Sequence, residues 1–256
     1  MLLHGLAERR QVFSRLLPLL VPRLRVAAID LPGFGASPPL PGGGFDLGVV
    51  CKRVAAAIAE LGLERPAMLG HSLGGGVTVR YAAERPGTLR ALALIAPAGL
   101  IASGAVRPSW RHPRLHALGR VALRAAIPLI ASRRGLRERA FARVVGDPSS
   151  LDAELARELL MGAAEGRSTP AAGIEIVYAG LRDRLDALTL PALVVWGARD
   201  HVVSPRYAEP LRDALPDGRL LLLPEAGHVP MCEQPAEVAA AVLGLFASGG
   251  DRNPLV

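Results

Sequence analysis

Short apolar runs alternate along this chain with segments whose apolar residues recur every three or four positions. "MLL" at the start reads as the end of a strand. The stretch "RRQVFSRLLPLL" (9–20) lines up Val12, Phe13, Leu16, Leu17 and Leu20 on one helical face. "RVAAID" (25–30) predicts a strand, followed by a loop rich in Pro and Gly (31–44). A helix is expected from about Asp46, a good N-cap, to Gly62, a good C-cap. "PAMLG" (66–70) predicts a strand, 73–85 a helix and "LRALALIA" (89–96) another strand. Strands that alternate with helices imply a mostly parallel, doubly wound α/β sheet covered on both faces.

The alternation stops near residue 98. Segments 113–131, 135–145, 150–165 and 171–186 have helical periodicity only, and Pro108, Pro113, Pro128, Pro148 and Pro170 separate or kink them. Sheet elements then resume: a strand "ALVVWG" (192–197), a helix near 205–215, a strand "RLLLLP" (219–224) and a helix over about 235–247. The expected organisation is one α/β core, 1–97 with 187–256, carrying a helical cap or lid at 98–186. A separate helical domain fits less well, because the sheet continues after the insertion.

Composition narrows the function. The chain has 256 residues, half of them hydrophobic, enough for one large core. The longest apolar run, 91–106, is broken by Pro97, Gly99 and Gly104 and is short for a membrane span. No basic, then apolar, leader opens the chain, so a cytoplasmic protein is expected. The net charge is +7, and Lys52 is the only lysine among the 30 basic residues. The arginines are scattered among acids with few aromatics beside them, which argues against a nucleic-acid surface. Cys51 and Cys232 are too few for a disulfide framework or a zinc cluster. With no Cys-x-x-Cys or His-Glu-x-x-His, neither a metal nor another cofactor is expected.

The candidate chemistry begins at "LGHSLGGG" (69–76), a Gly-x-Ser-x-Gly between an expected strand and an expected helix. That context forces Ser72 into a tight, strained turn at the carboxyl edge of the sheet. Gly70 and Gly74 let strand and helix approach. A serine nucleophile needs a base, and the base needs an orienting acid. His228, in "PEAGHVPMCEQP", follows the last strand, and Asp200, in "VVWGARDHVVS", follows the strand before it; both therefore share the Ser72 edge. His4, His112, His116, His201 and Glu225 read more simply as packing, surface or loop residues. Asp183 and Asp186 precede their strand, at the opposite edge. The oxyanion hole is expected from the backbone N–H of Leu73, after the nucleophile, and of Leu6, in "LLHGL".

Together, "LLHGL", "DLPGFGAS", "LGHSLGG", "WGARDHVV" and "GHVPMCEQP" resemble the α/β-hydrolase superfamily, of the serine branch with a helical cap. The resemblance spans nearly the whole chain. Serine at position 72 separates it from the haloalkane dehalogenase and epoxide hydrolase branches, which carry Asp there. Some relatives carry their acid after the fourth strand, but here "APAGL" has no carboxylate, which leaves Asp200. The resemblance implies a serine hydrolase acting on a small, largely apolar ester through an acyl-enzyme, as a monomer or homodimer. Thioester cleavage or C–C bond hydrolysis of ring-fission products would use the same three residues; a non-catalytic binding protein is the remaining alternative. Trp110, Leu136, Phe141, Met161 and Tyr178 are candidates to line the substrate pocket under the cap, with ordinary helix packing as the plainer reading. Relatives also carry a hairpin before the "HG" strand. Its absence leads us to expect missing N-terminal strands and "RVAAID" at a sheet edge.

Overall fold

The computed structural model describes residues 1–100, 113–177 and 179–248. The core elements run β1 (Leu2–Leu3), α1 (Leu17–Leu20), β2 (Ala28–Ile29), α2 (Leu47–Glu60), β3 (Met68–His71), α3 (Leu73–Glu84) and β4 (Leu92–Ile95). Among the described residues, four α-helices follow before the next strand: α4 (Pro113–Ser132), α5 (Arg134–Phe141), α6 (Ala153–Glu165) and α7 (Thr169–Val177). The chain then returns to the sheet with β5 (Ala192–Gly197), α8 (Ala208–Asp213), β6 (Gly218–Leu223), α9 (Pro230–Glu233) and α10 (Pro235–Ser248). Among the described residues the strands form one parallel sheet in the order β2-β1-β3-β4-β5-β6.

Strands buried on both faces are expected to read as continuous apolar runs, and "LALI" and "ALVVWG" do. Side-chain alternation then sends neighbours to opposite faces. Leu92, Leu94, Val194 and Trp196 join one apolar cluster with Val50 and Val54 of α2, Val77 of α3 and Leu211 of α8. Ala93, Ile95, Leu193 and Val195 join the other, with Leu20 of α1 and Val238 and Val242 of α10. The inserted helices straddle the sheet: Ile176 of α7 packs into the first cluster, and Ile127, Phe141 and Leu155 of α4, α5 and α6 pack into the second.

The differences from the sequence reading have local causes. The expected helix over 9–20 divides into a 3-10 turn (Arg10–Phe13) and α1. Pro18 has no N–H to continue the helical ladder across this point, although Val12, Phe13, Leu16 and Leu20 are still buried. The segment 171–186 divides into α7 and a 3-10 turn (Leu181–Ala187) because Gly180 turns left-handed at φ 57°. Pro128 sits on the exposed side of α4 and does not end it. "RVAAID" pairs through Ala28 and Ile29 only, as an edge strand. Asp46 caps α2 as expected, its carboxylate accepting the Val49 N–H at 2.7 Å.

Leu94 is fully buried in a central strand. Leu94→Ala is expected to cost about 2–5 kcal/mol of stability through lost transfer energy and a residual cavity. Leu118, 67 % exposed on α4, is the control; Leu118→Ala is expected to change stability by less than about 0.5 kcal/mol. Urea unfolding of the two variants checks the contrast.

Candidate active site

Ser72 links β3 to α3 at φ 48° and ψ −112°, outside the ordinary wells for a side chain. Such a conformation costs about 1–3 kcal/mol and survives only where surrounding contacts fix it. The contacts are close here. A Cβ on Gly70 would lie 2.3 Å from the Gly74 carbonyl oxygen, and one on Gly74 would lie 2.3 Å from that of Leu3. The backbone of Ser72 is also tied down. Its N–H donates to the Ile95 carbonyl at 2.9 Å, and its carbonyl accepts the Ala98 N–H at 2.9 Å. Ala7 (φ 59°) and Ala96 (φ 40°) also take a positive φ, in the loops after β1 and β4. Strain is thus concentrated at the carboxyl edge of three adjacent strands.

Backbone donors at this edge divide into used and unused ones. The Gly74 N–H donates to the His4 carbonyl at 3.1 Å, and the Gly5 N–H donates to Glu8 Oε2 at 2.6 Å. Leu73 opens α3, so its N–H has no intrahelical acceptor. Among the described residues, the N–H groups of Leu6 and Leu73 have no hydrogen-bond acceptor.

The loops after β5 and β6 bring Asp200 and His228 together, both buried. His228 Nδ1–H donates to Asp200 Oδ2 at 2.7 Å. Asp200 Oδ1 accepts the N–H groups of Val202 at 2.7 Å and Val203 at 2.9 Å, so its own turn aims the carboxylate. This arrangement leaves the Nε2 lone pair of a neutral His228 unused. The His228 ring lies 4.8 Å, centroid to centroid, from the ring of His71, the neighbour of Ser72 in the chain. Ser72 Oγ and His228 Nε2 are not hydrogen-bonded to each other. In enzymes generally, nucleophile–base contacts are often long without ligand and tighten around substrate.

The inserted helices hold this edge from outside. The His228 N–H donates to the Val144 carbonyl at 2.6 Å. Glu233 accepts from the N–H of Gly146 at 2.7 Å and from that of Gly227 at 2.9 Å, joining the His228 loop to the turn after α5. Burial holds the Glu233 carboxyl above its usual range despite those bonds. On the opposite side, Arg9 pairs with Glu158 and Glu165 of α6.

Two further buried histidines sit here in opposite protonation states. His4 Nδ1–H donates to the Gly5 carbonyl at 2.8 Å, and Nε2 accepts the Leu31 N–H at 2.9 Å, which is the pattern of a neutral ring. Burial lowers its pKa accordingly. It tethers the ends of β1 and β2, a structural role. His71 instead donates from Nε2 to the His228 carbonyl at 2.8 Å and from Nδ1 to Glu8 Oε2 at 2.8 Å. A carbonyl oxygen only accepts, so Nε2 carries a proton; with Glu8 ionised, the state that the neighbouring His71 favours, Nδ1 carries one too. Burial opposes either charge, but mutual attraction outweighs it: Glu8 raises the pKa of His71, and His71 lowers that of Glu8.

The remaining candidates fall elsewhere. Trp110, Tyr178 and His112 lie outside the described residues. Leu136 is half-buried on α5, while Phe141 and Met161 pack in the second apolar cluster. His201 is exposed, its carbonyl accepting from Arg143. Glu225 is exposed and pairs with Arg199. Asp183 and Asp186 sit on the turn before β5. Sequence reasoning missed Glu8, His71 and Glu233. His71 was only the variable position of Gly-x-Ser-x-Gly, and no spacing rule links residue 8 to residue 71. Cys51 and Cys232 are free and buried, and burial raises the pKa of both thiols, that of Cys51 to about 12.

Residues 1–235 match the family model of the alpha/beta hydrolase fold. The chain is similar to the pimeloyl-[acyl-carrier protein] methyl ester esterase of Chromobacterium violaceum, with 30 % identity over 94 % of this chain and 91 % of that one. Among solved structures it is similar to a bacterial membrane phospholipase A, at TM-score 0.70 and 29 % identity over 99 % of this chain and 79 % of that one. It shares the fold of an esterase from Thermogutta terrifontis, at TM-score 0.71 and 24 % identity over 98 % and 89 % of the two chains.

The Glu8–His71 pair makes stability depend on pH in a defined window. His71, raised in the fold, contributes fully below its unfolded value of 6.5 and loses that contribution as pH rises through the folded value. Glu8, lowered in the fold, contributes fully above 4.5 and loses its contribution as pH falls. The gap in unfolding free energy between wild type and Glu8→Gln is therefore expected to be widest between pH 4.5 and 6.5. Urea titrations at about pH 5.5 and about pH 8.5 check that the gap narrows at the higher pH.

Proposed function

The chain belongs to the alpha/beta hydrolase fold family, and on that premise we propose a serine hydrolase that cleaves a carboxylic ester with a largely apolar acyl part. The observation that carries the proposal is the Asp200–His228 bond, which leaves a basic nitrogen unused at the sheet edge where the strained Ser72 sits. The relative from Chromobacterium violaceum, named a methyl ester esterase, supports ester chemistry.

In this reading Ser72 Oγ attacks the ester carbonyl while His228 Nε2 takes its proton. Charge develops on the carbonyl oxygen, and the N–H groups of Leu6 and Leu73 stabilise it. Each such donor is worth about 2.7–4 kcal/mol of barrier in comparable sites. Asp200 fixes the tautomer and stabilises the imidazolium that forms. The C–O bond to the alcohol breaks, and His228 returns the proton to the departing oxygen. Water then attacks the acyl-enzyme with His228 again acting as base. The acid leaves and Ser72 recovers its proton.

We further propose that 98–186 acts as the cap expected from the sequence, forming a wall of the site as well as a cover. Three contacts support this. Ile176 of α7 lies where a Cβ on Gly76 would sit; Gly162 of α6 lies against the backbone of Ala7 and Glu8; and Val144 accepts from the His228 N–H.

Hydrolysis of p-nitrophenyl butyrate tests the assignment. Ser72→Ala is expected to reduce kcat/KM by at least about 10⁴-fold, and Asp200→Asn by about 10³–10⁴-fold, with little change in melting temperature. A folded Ser72→Ala protein that retains wild-type turnover would refute the proposal.

A further inference from the structure

We propose that Glu8 and His71 are positioning residues of this site, a buried ionic relay that holds the oxyanion loop and the His228 main chain in register. The inference rests on the serine hydrolase reading above and adds two residues to it. One carboxylate oxygen, Glu8 Oε2, accepts from both the Gly5 N–H at 2.6 Å and His71 Nδ1–H at 2.8 Å. The far side of the same ring donates to the His228 carbonyl at 2.8 Å. A continuous chain of hydrogen bonds thus joins the loop bearing the Leu6 N–H to the residue bearing the base, through the residue beside Ser72.

The geometry explains why the relay is ionic. With Glu8 as the carboxylate, a neutral imidazole cannot donate at both ends, so only a protonated His71 satisfies the two acceptors. A buried imidazolium needs a buried anion beside it, and Glu8 is the acid that contacts it. Among the described residues Asp200, His4, His228 and the Cys232 thiol are other titratable groups near the pair. Neither Glu8 nor His71 is placed to touch the reacting atoms; their effect passes through Gly5, Leu6 and His228.

The relay also explains which donor stays unused. With the Gly5 N–H committed to Glu8, the next N–H along the loop is that of Leu6, which has no acceptor among the described residues. Ala7 holds its left-handed φ between Leu6 and Glu8, where α6 packs against it: a Cβ on Gly162 would lie 2.9 Å from the Ala7 carbonyl oxygen. Releasing Glu8 removes the polar anchor of this turn and lets the strained residue relax.

The test compares wild type, Glu8→Gln and Glu8→Ala in steady-state hydrolysis of p-nitrophenyl butyrate, with fluorophosphonate labelling and melting temperature measured alongside. Gln retains an oxygen that accepts from Gly5 but loses the charge that keeps His71 doubly protonated; Ala loses both. Turnover is expected to fall in two steps, kcat dropping roughly tenfold in Glu8→Gln and roughly a hundredfold in Glu8→Ala, with KM within about threefold throughout. A merely structural role predicts loss of melting temperature and active fraction without this graded split. Wild-type kcat in folded Glu8→Ala, or a loss confined to KM, overturns the proposal. If Glu8→Ala does not fold, Glu8→Gln decides alone: kcat within twofold of wild type overturns the proposal. A wild-type protein that neither labels nor hydrolyses the ester overturns the underlying hydrolase reading instead, so the two failures are separable.

Discussion

The site is built around the close approach of β1, β3 and α3 at the Ser72 turn. Gly70 faces the carbonyl of Gly74, and Gly74 faces that of Leu3, at distances where no methyl group fits. This contact brings the first turn of α3 onto the end of β1, so the loop bearing Leu6 and the helix start bearing Leu73 lie at one edge. The backbone at Ser72 is forced from its ordinary wells as a consequence. The strain is offset by the packing of a parallel sheet whose central strands are buried on both faces. A looser sheet would let the turn relax, and the serine would become an ordinary cap.

Around that constraint, polar groups are arranged by what each can donate or accept. Asp200 uses one oxygen on its own turn and the other on His228. His4 is neutral, with one donor and one acceptor satisfied. His71 is charged, with two acceptors satisfied. Three buried histidines within one small region thus hold three different roles, set by partners rather than by residue type. Among the groups left without a partner in the described residues are the Leu6 and Leu73 N–H groups, and a neutral His228 keeps a lone pair; the proposed acyl transfer uses these groups.

The sheet, its strand sequence and the interruption after β4 were legible because their signals are local: apolar runs of strand length, a capping Asp46, and punctuation by Gly and Pro. The shared placement of Ser72, Asp200 and His228 was legible because each follows a strand, and parallel topology gathers strand ends at one edge. What escaped was pairwise. Nothing near residue 8 announces that its carboxylate meets residue 71, or that Glu233 would clamp two glycine N–H groups from separate loops. These contacts depend on three-dimensional closure. The broken helix over 9–20 shows the limit in secondary structure: its apolar face was read correctly, but Pro18 decided its continuity. Of the pocket candidates, Phe141 belongs to the second apolar cluster and Met161 packs against it.

In the proposed serine hydrolase, the strained turn presents one activated serine. The most direct test is to treat the wild-type protein with a fluorophosphonate and map the adduct by peptide mass spectrometry. A single phosphonylated residue, Ser72, is expected in the peptide spanning the β3–α3 turn. An adduct at a different residue, or no adduct in folded protein, would contradict it.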